Sequence, residues 1–154
     1  MKVSIVKAEE KHLSFIADNI RDADKNEIYD LTLMKPLEAL KKSLEVSFLA
    51  CTGLIDGKPI CMFGVGDTGM MFNTGRPWMI GTNEIDNVPV TFLRRNKVYV
   101  QKMLDCYGFL ENYVSQENTK AIDWLKWLGF TFDEEPVNMG VFNKHFYRFW
   151  MVKQ

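Results

Sequence analysis

The hydrophobic period of this chain switches repeatedly between two and about 3.6 residues, and the order of those switches constrains its fold most tightly. Alternating Val and Ile over residues 3–8 indicate a strand, whereas Leu13, Ile16, Ala17 and Ile20 recur at helical spacing. The complete order is a strand, two helices, three strands, a helix, a strand, a helix and two strands. This alternation predicts an α+β or α/β sheet layered with helices.

Local signals set the bounds of the predicted elements. Pro36 suits the first turn of a helix, the dipeptide 56–57 (Asp-Gly) suits a hairpin turn, and Pro77 suits the first residue of a strand. Met70 to Phe72 begin either a short strand or a loop insertion. The predicted elements are strand 3–8, helix 10–24, a helix from Pro36, hairpin 47–67, strand 77–85, helix 89–106, strand 109–115, a helix from Asn118 or Thr119, and closing strands at 130–134 and 146–152.

The composition is that of one ordinary globular domain spanning residues 1–154, with 47% hydrophobic and 25% charged residues. A net charge of -1 gives no basic surface that would favour a nucleic-acid or membrane partner. The apolar runs fall short of the ~20 residues of a membrane-spanning helix. Charged residues at Lys7, Glu9 and Glu10 also make the N-terminal stretch unlike a signal peptide.

The three cysteines favour free thiols in a reducing compartment, because an odd count does not build a disulfide framework. A regular hairpin that turns at residues 56–57 places Thr52 opposite Cys61. Cys51 and Cys61 are then expected on opposite faces of the sheet. With two histidines and no paired cysteine spacing, we expect no metal site.

The stretch NTKAIDWLKWLGF (118–130) predicts a short amphipathic helix that ends against a sheet. Asn118 can cap its first turn through the side-chain oxygen, and Gly129 suits the left-handed residue that ends a helix. The predicted buried stripe consists of Ala121, Ile122, Leu125 and Leu128.

The spacing Asn-x-x-Ala-Ile-x-x-x-x-x-Leu-Gly-Phe between two strands resembles the late motif of the GCN5-related N-acetyltransferase (GNAT) superfamily. The element order resembles that fold over nearly the whole chain. The resemblance implies an α+β domain with a central mixed, mostly antiparallel sheet of about seven strands and four helices. In that family acyl-CoA lies between the splayed fourth and fifth strands, here 77–85 and 109–115. Residues implied to face the pantetheine arm are Ile80, Gly81 and Thr82, with Asn118 beside it.

Four further stretches of the sequence are RDADKNEIYD, GRPWMIGT, ENYVSQENTKAIDWLKWLGF and FYRFWM. Together they resemble phage proteins that include internal virion proteins of short-tailed phages and acetyltransferase-like neighbours of structural genes. This narrower resemblance implies a phage-encoded protein of the host cytoplasm or the virion, with phage structural proteins as partners.

The CoA diphosphate needs main-chain N–H groups at a helix N-terminus, which the superfamily supplies from a glycine-rich loop. No glycine lies between Glu84 and Tyr107 in this chain. Arg94 and Arg95 could supply charge to the diphosphate, although a solvated helix face is the simpler interpretation of both. The sequence therefore predicts a degraded cofactor loop.

The acid and base of acetyl transfer are also altered. The superfamily often places a tyrosine acid seven residues after the conserved asparagine, and Leu125 holds that position here. The hydroxyls of Tyr99, Tyr107 and Tyr113 are possible substitutes. For the base, the resemblance implies Glu84 at the end of the fourth strand, with Asp86 close by; a strand end in water is the alternative.

Two hypotheses follow. In the first, the chain is a phage acetyltransferase-like protein with degraded catalytic motifs and no bound cofactor, and it acts through protein contacts. In the second, it is an active N-acetyltransferase that uses acetyl-CoA with a modified loop. The charge run 21–27 is read as a solvated helix face with a docking role open, and a loop with Met139, Val141 and Phe142 is a candidate protein contact.

Overall fold

The computed structural model describes residues 1–68 and 73–154, so the prediction for Met70 to Phe72 lies outside the described residues. Within these ranges the chain forms a sheet of eight strands with five α-helices. The helices are α1 (Leu13–Asp18), α2 (Asp22–Thr32), α3 (Pro36–Val46), α4 (Val90–Tyr107) and α5 (Thr119–Leu128). The strands are β1 (Val3–Lys7), β2 (Ser47–Ile55), β3 (Lys58–Asp67), β4 (Thr74–Gly81), β5 (Phe109–Ser115), β6 (Thr131–Phe132), β7 (Val137–Met139) and β8 (Lys144–Val152).

The predicted α+β class is confirmed, with one more helix than expected. The helix predicted over 10–24 is wrong as a single element, because it is interrupted between α1 and α2. At the interruption Ile20 forms an isolated β-bridge with Thr82, just beyond β4. The main chain must be extended to make this bridge, so it cannot stay helical there.

The sheet order is β1-β2-β3-β4-β5-β8-β6, and β7 also pairs with β8. All neighbouring strands are antiparallel except β4 and β5, which are parallel. These two strands pair only at Thr74 with Phe109 and Gly75 with Leu110. Beyond that point they diverge and leave a wedge-shaped gap, which we call the gap.

The hairpin of β2 and β3 turns at Asp56-Gly57 as predicted, but its register differs from the regular one. A bulge lies where Gly53 pairs with Cys61 while the next residue, Leu54, pairs with Pro59. Proline has no N–H for the ladder and is tolerated at such irregularities. The prediction of opposite faces for the two cysteines is therefore wrong, because Cys51 and Gly53 share a face; both thiols are free and buried.

Two hydrophobic clusters cover the two faces of the sheet. One lies under α4 and α5 and includes Phe63, Phe92 and Leu110, and the other lies under α1 and α3 around Ile16 and Leu40. No helix in the described ranges is long and apolar enough to cross a membrane.

The fourth strand is shifted from its predicted bounds of 77–85. It runs from Thr74 to Gly81, and residues Asn83–Asn87 form a short 3-10 turn that leads to α4. The strand predicted over 109–115 is confirmed as β5, and the helix after Asn118 is confirmed as α5. Helix α2 and the start of α5 lie at the wide end of the gap, where they contact the ends of β4 and β5 or each other.

Candidate functional site

A cavity of about 550 Å³ occupies the gap. Its walls come from β4 and β5, with α4 and α5 on one face of the sheet and α2 and α3 on the other. Concave, mostly apolar cavities of this size with a few polar groups are the usual form of small-molecule sites. The polar groups of its walls therefore decide what the gap can bind.

Main-chain groups of alternate residues point into the gap. The Gly81 N–H and C=O point away from β3, since they bond Asp24 and the Arg21 N–H, so Pro77 and Met79 present their main-chain groups to the same side. On β5 the Ser115 N–H donates to Glu27 of α2, so the main-chain groups of Ser115 and of alternate residues of β5 also point into the gap. An extended ligand between the strands would have to pair with these groups.

Asn112 on β5 bridges the middle of the gap. Its Nδ2 donates to the Pro77 carbonyl at 2.8 Å, and its Oδ1 accepts from the Tyr113 N–H at 2.8 Å. One side-chain amide thus pairs with both strands, as a peptide group of an inserted strand would. The Pro77 carbonyl and the Tyr113 N–H therefore already have partners within the chain.

We expect Asn112→Ala to lower the free energy of unfolding by about 2 kcal/mol, because the Tyr113 N–H and the Pro77 carbonyl lose their partner. Urea denaturation measures the loss. Asn26→Ala, at an exposed position of α2, is the control and should change the stability little. Equal effects of the two variants would contradict the bridging role.

Asp24 on α2 closes the wide end of the gap on the β4 side, with only 6% of its surface exposed. Its Oδ2 accepts from the Gly81 N–H at 2.9 Å, and its Oδ1 accepts from Arg21 Nη1 at 3.0 Å and from Asn118 Nδ2 at 3.1 Å. The Arg21 N–H in turn donates to the Gly81 carbonyl at 2.9 Å. Burial raises the pKa of Asp24, and the Arg21 charge and these hydrogen bonds act against that rise.

Glu27 lies one turn further along α2 and closes the β5 side. Its Oε1 accepts a hydrogen bond from the Ser115 N–H. The pKa of Glu27 is raised to about 7, chiefly by loss of hydration; the hydrogen bond from Ser115 acts against this rise, and the nearby Asp24 charge adds to it. The two carboxylates of α2 therefore hold the ends of both diverging strands.

The structure brings together three of the residues that the resemblance assigned to the cofactor. Ile80, Gly81 and Asn118 line the cavity. Thr82 is buried beside them, but its N–H and hydroxyl both bond the Ile60 carbonyl of β3. Asn118 occupies the position before α5 as predicted, yet its side chain makes no capping hydrogen bond and contacts Asp24 instead.

Glu84, Arg94 and Arg95 lie outside the cavity walls. Glu84 is exposed on the 3-10 turn, whereas Asp86 lies on the wall and pairs with Lys120 at 3.3 Å. Arg94 is exposed, and Arg95 Nη1 donates to the Val3 carbonyl of β1 at 2.7 Å. The catalytic role of Glu84 and the diphosphate roles of both arginines stay predictions.

The N-terminus of α4 offers little to a diphosphate. Pro89 precedes the helix and has no N–H, and the Phe92 N–H already donates to the Pro89 carbonyl at 3.0 Å. At most the N–H groups of Val90 and Thr91 remain in this turn. This turn therefore offers at most two main-chain donors to an anion.

Sequence reasoning missed Asp24, Glu27 and Asn112. The run 21–27 was interpreted as solvated, which is wrong for the buried Asp24. The only local signal was the spacing of Asp24, Glu27 and Ile28, which puts two acids and an apolar residue on one helical face. In the described part of the chain, no group of His, Cys, Asp or Glu side chains could hold a metal ion.

Comparison with known structures identifies the architecture. An alanine N-acetyltransferase for ribosomal protein from Brucella melitensis superposes with a TM-score of 0.73 at 13% identity, covering 97% of this chain and 99% of the other. An N-acetyltransferase from Staphylococcus aureus Mu50 gives 0.73 at 13% identity, with 99% of both chains covered. The fold is the GNAT fold. A spermidine N-acetyltransferase from Vibrio cholerae, solved with CoA and spermine, gives 0.67 at 17% identity, covering 97% and 95%.

Comparison of the sequence with protein-family profiles gives a match of a different kind. The profile of a family described as "Bacteriophage T7, probable scaffold protein Gp13" matches residues 68–137, which is less than half of the chain. A search of curated protein sequences finds no significant match. The matched segment runs from the end of β3 to the start of β7 and so includes both strands of the gap.

Proposed function

We propose that this chain is a phage-encoded protein with a GNAT fold that does not perform standard acetyl transfer and acts through contacts with phage structural proteins. The observation that carries the proposal is the internal pairing of the gap. The Gly81 N–H and the Asn118 side chain, which the resemblance assigns to the cofactor, already bond Asp24. A pantetheine arm would have to displace a buried carboxylate to reach them.

The match to the phage scaffold profile supports the proposed phage origin of the chain. The matched segment includes both strands of the gap. A contact surface is available at the β7–β8 hairpin, where Val141 is 68% and Phe142 48% exposed. Phe142 stacks on Tyr29 of α2, whose exposed fraction is 51%, with ring centroids 5.8 Å apart. We call Tyr29, Val141 and Phe142 the tip surface. Exposed aromatic groups of this kind are common anchors of protein interfaces.

The alternative is an acetyltransferase with a modified cofactor loop. Its support is the 550 Å³ cavity and the position of Tyr113, which lines the cavity and could act as the acid in place of Leu125. Met79 also presents its N–H and C=O to the gap, by the alternation along β4.

We expect 1 mM acetyl-CoA to leave the melting temperature unchanged. A cofactor with a Kd of about 10 μM would stabilise the protein by about 2.7 kcal/mol at that concentration, or several degrees for a chain of this length. Differential scanning fluorimetry measures the shift. A clear shift that disappears in an Arg94→Ala/Arg95→Ala variant would favour the alternative and assign the diphosphate contact to those arginines.

The proposed role in phage virions or procapsids is tested in a separate experiment. We expect the chain to be present in purified virions or procapsids of the phage that encodes it, as detected by mass spectrometry. A Val141→Ser/Phe142→Ser variant should be lost from them, whereas Phe48→Ser, at another exposed aromatic position, should be retained. Equal retention of both variants would contradict a role for the tip surface.

A further inference from the structure

Helix α2 makes two separate sets of contacts on two of its faces. Asp24 and Glu27 face the gap and bond the ends of β4 and β5, with Ile28 and Leu31 next to them on the cavity wall. Tyr29 points away from the gap and stacks on Phe142 of the β7–β8 hairpin. A single helix of 11 residues therefore touches both the gap and the tip surface.

The contact between α2 and the hairpin is close at the main chain as well. Gly140 has a φ of +75°, and a Cβ added there would lie 2.1 Å from the Asp30 carbonyl oxygen. Only glycine allows the hairpin to approach the helix this closely. The Phe142 ring lies at 26° to the Tyr29 ring one helical residue before Asp30. The β7–β8 hairpin thus contacts the C-terminal half of α2 through a side chain and through the main chain.

We propose that α2 is an internal plug that couples the tip surface to the gap, so that loosening the Tyr29–Phe142 contact releases Asp24 and Glu27 from the strand ends. A partner that replaces the Phe142 ring with its own side chain would open the gap, and occupation of the gap would in turn weaken the hairpin contact, since coupling between two sites is reciprocal. The inference rests on the proposed function for the partner, but the coupling itself lies within this chain.

Amide hydrogen exchange tests the coupling directly, with internal controls in the same strands. The Gly81 and Ser115 N–H groups bond α2, whereas the adjacent Thr82 and Gln116 N–H groups bond the Ile60 and His145 carbonyls elsewhere in the sheet. Opening of α2 alone exposes the first pair and leaves the second protected. The two pairs therefore separate local opening from global unfolding.

We expect Phe142→Ala to raise the exchange rates of the Gly81 and Ser115 amides at least tenfold, measured by NMR in the free protein, with the Thr82 and Gln116 amides unchanged. Phe48→Ala is the matched control, because Phe48 is 74% exposed and packs on Tyr107, away from α2. Gly140→Ala pushes the hairpin away from Asp30 and should have the same effect as Phe142→Ala. It replaces Phe142→Ala in the experiment if Phe142→Ala does not fold.

Unchanged exchange at Gly81 and Ser115 in both tip variants would overturn the coupling, and so would an equal rise in all four amides. Neither result bears on acetyl-CoA binding or on the presence of the chain in virions, so failure of the coupling is distinguishable from failure of the proposed function.

Discussion

Asp24→Ala should lower the free energy of unfolding by about 3–5 kcal/mol, the usual cost of removing one partner from a buried ion pair. The variant leaves the Arg21 guanidinium, the Gly81 N–H and the Asn118 amide without the acceptor that they share. Urea denaturation followed by circular dichroism measures the loss. We expect the midpoint to fall with an unchanged slope, because the unfolded chain exposes the same surface.

The matched control is Asp22→Ala, two residues earlier on the same helix and exposed to water. It should change the stability by less than about 0.5 kcal/mol, as surface substitutions usually do. A loss below about 1 kcal/mol in Asp24→Ala would contradict the view that this carboxylate organises the wide end of the gap.

Glu27→Gln should make the protein more stable than the wild type at pH 8. Burial raises the pKa of Glu27 from an ordinary 4.5 to about 7, so between these two pH values the folded protein holds a proton there that the unfolded chain has released, and at pH 8 the wild type must bury the charged carboxylate. This contribution to stability is complete below pH 4.5, declines as the pH rises to about 7, and is lost above it. Glutamine is neutral at every pH and keeps an oxygen for the Ser115 N–H.

The gain at pH 8 is at most about 3 kcal/mol by linkage, and it should vanish near pH 4.5. The measurement is the difference between the unfolding free energies of variant and wild type at several pH values. Asp24, Arg21 and Asn118 face Glu27 and are the same in both proteins. Glu38→Gln, at an exposed position of α3, should give no such pH dependence. A variant that is no more stable at pH 8 would contradict the raised pKa.

The difference between variant and wild type must be measured because the pKa of another group, His12, is shifted in the opposite direction. Burial lowers the pKa of His12, whose Nδ1 accepts a hydrogen bond from the Glu9 N–H and lies 2.8 Å from the Thr52 hydroxyl oxygen. Its contribution to stability is present above pH 6.5 and is lost as the pH falls through its lowered value. The wild-type profile alone therefore mixes both effects.

The fold was predictable because its signals are local. The period changes, Pro36 at the start of α3 and Gly129 at the end of α5 each act within one or two turns of chain. The interruption of the first helix was not predictable, because it depends on pairing between Ile20 and Thr82. The shifted register around Cys61 was not predictable either, since a bulge near Pro59 leaves the hydrophobic pattern nearly unchanged.

The candidate site was predicted in part. The sequence shows that no glycine lies between Glu84 and Tyr107 and that Leu125 stands seven residues after Asn118. What these two features mean for the cofactor and for the acid stays a prediction. The use of Asn118 as a partner of Asp24 joins residues 94 positions apart, and no local pattern reports such a contact. The sequence of a charge run such as 21–27 does not indicate whether its carboxylates are hydrated or bond the ends of two strands.

The short parallel pairing of β4 with β5 has a mechanical consequence. The sheet consists of two half-sheets, β1–β4 and β5–β8, whose main chains pair at only two positions; the side chains of Asn112, Asp24 and Glu27 and the hydrophobic cluster under α4 and α5 also join them. Under tension applied across this seam, rupture would begin at side-chain contacts before any antiparallel ladder is broken. We expect the two half-sheets to separate along this seam when force is applied across it.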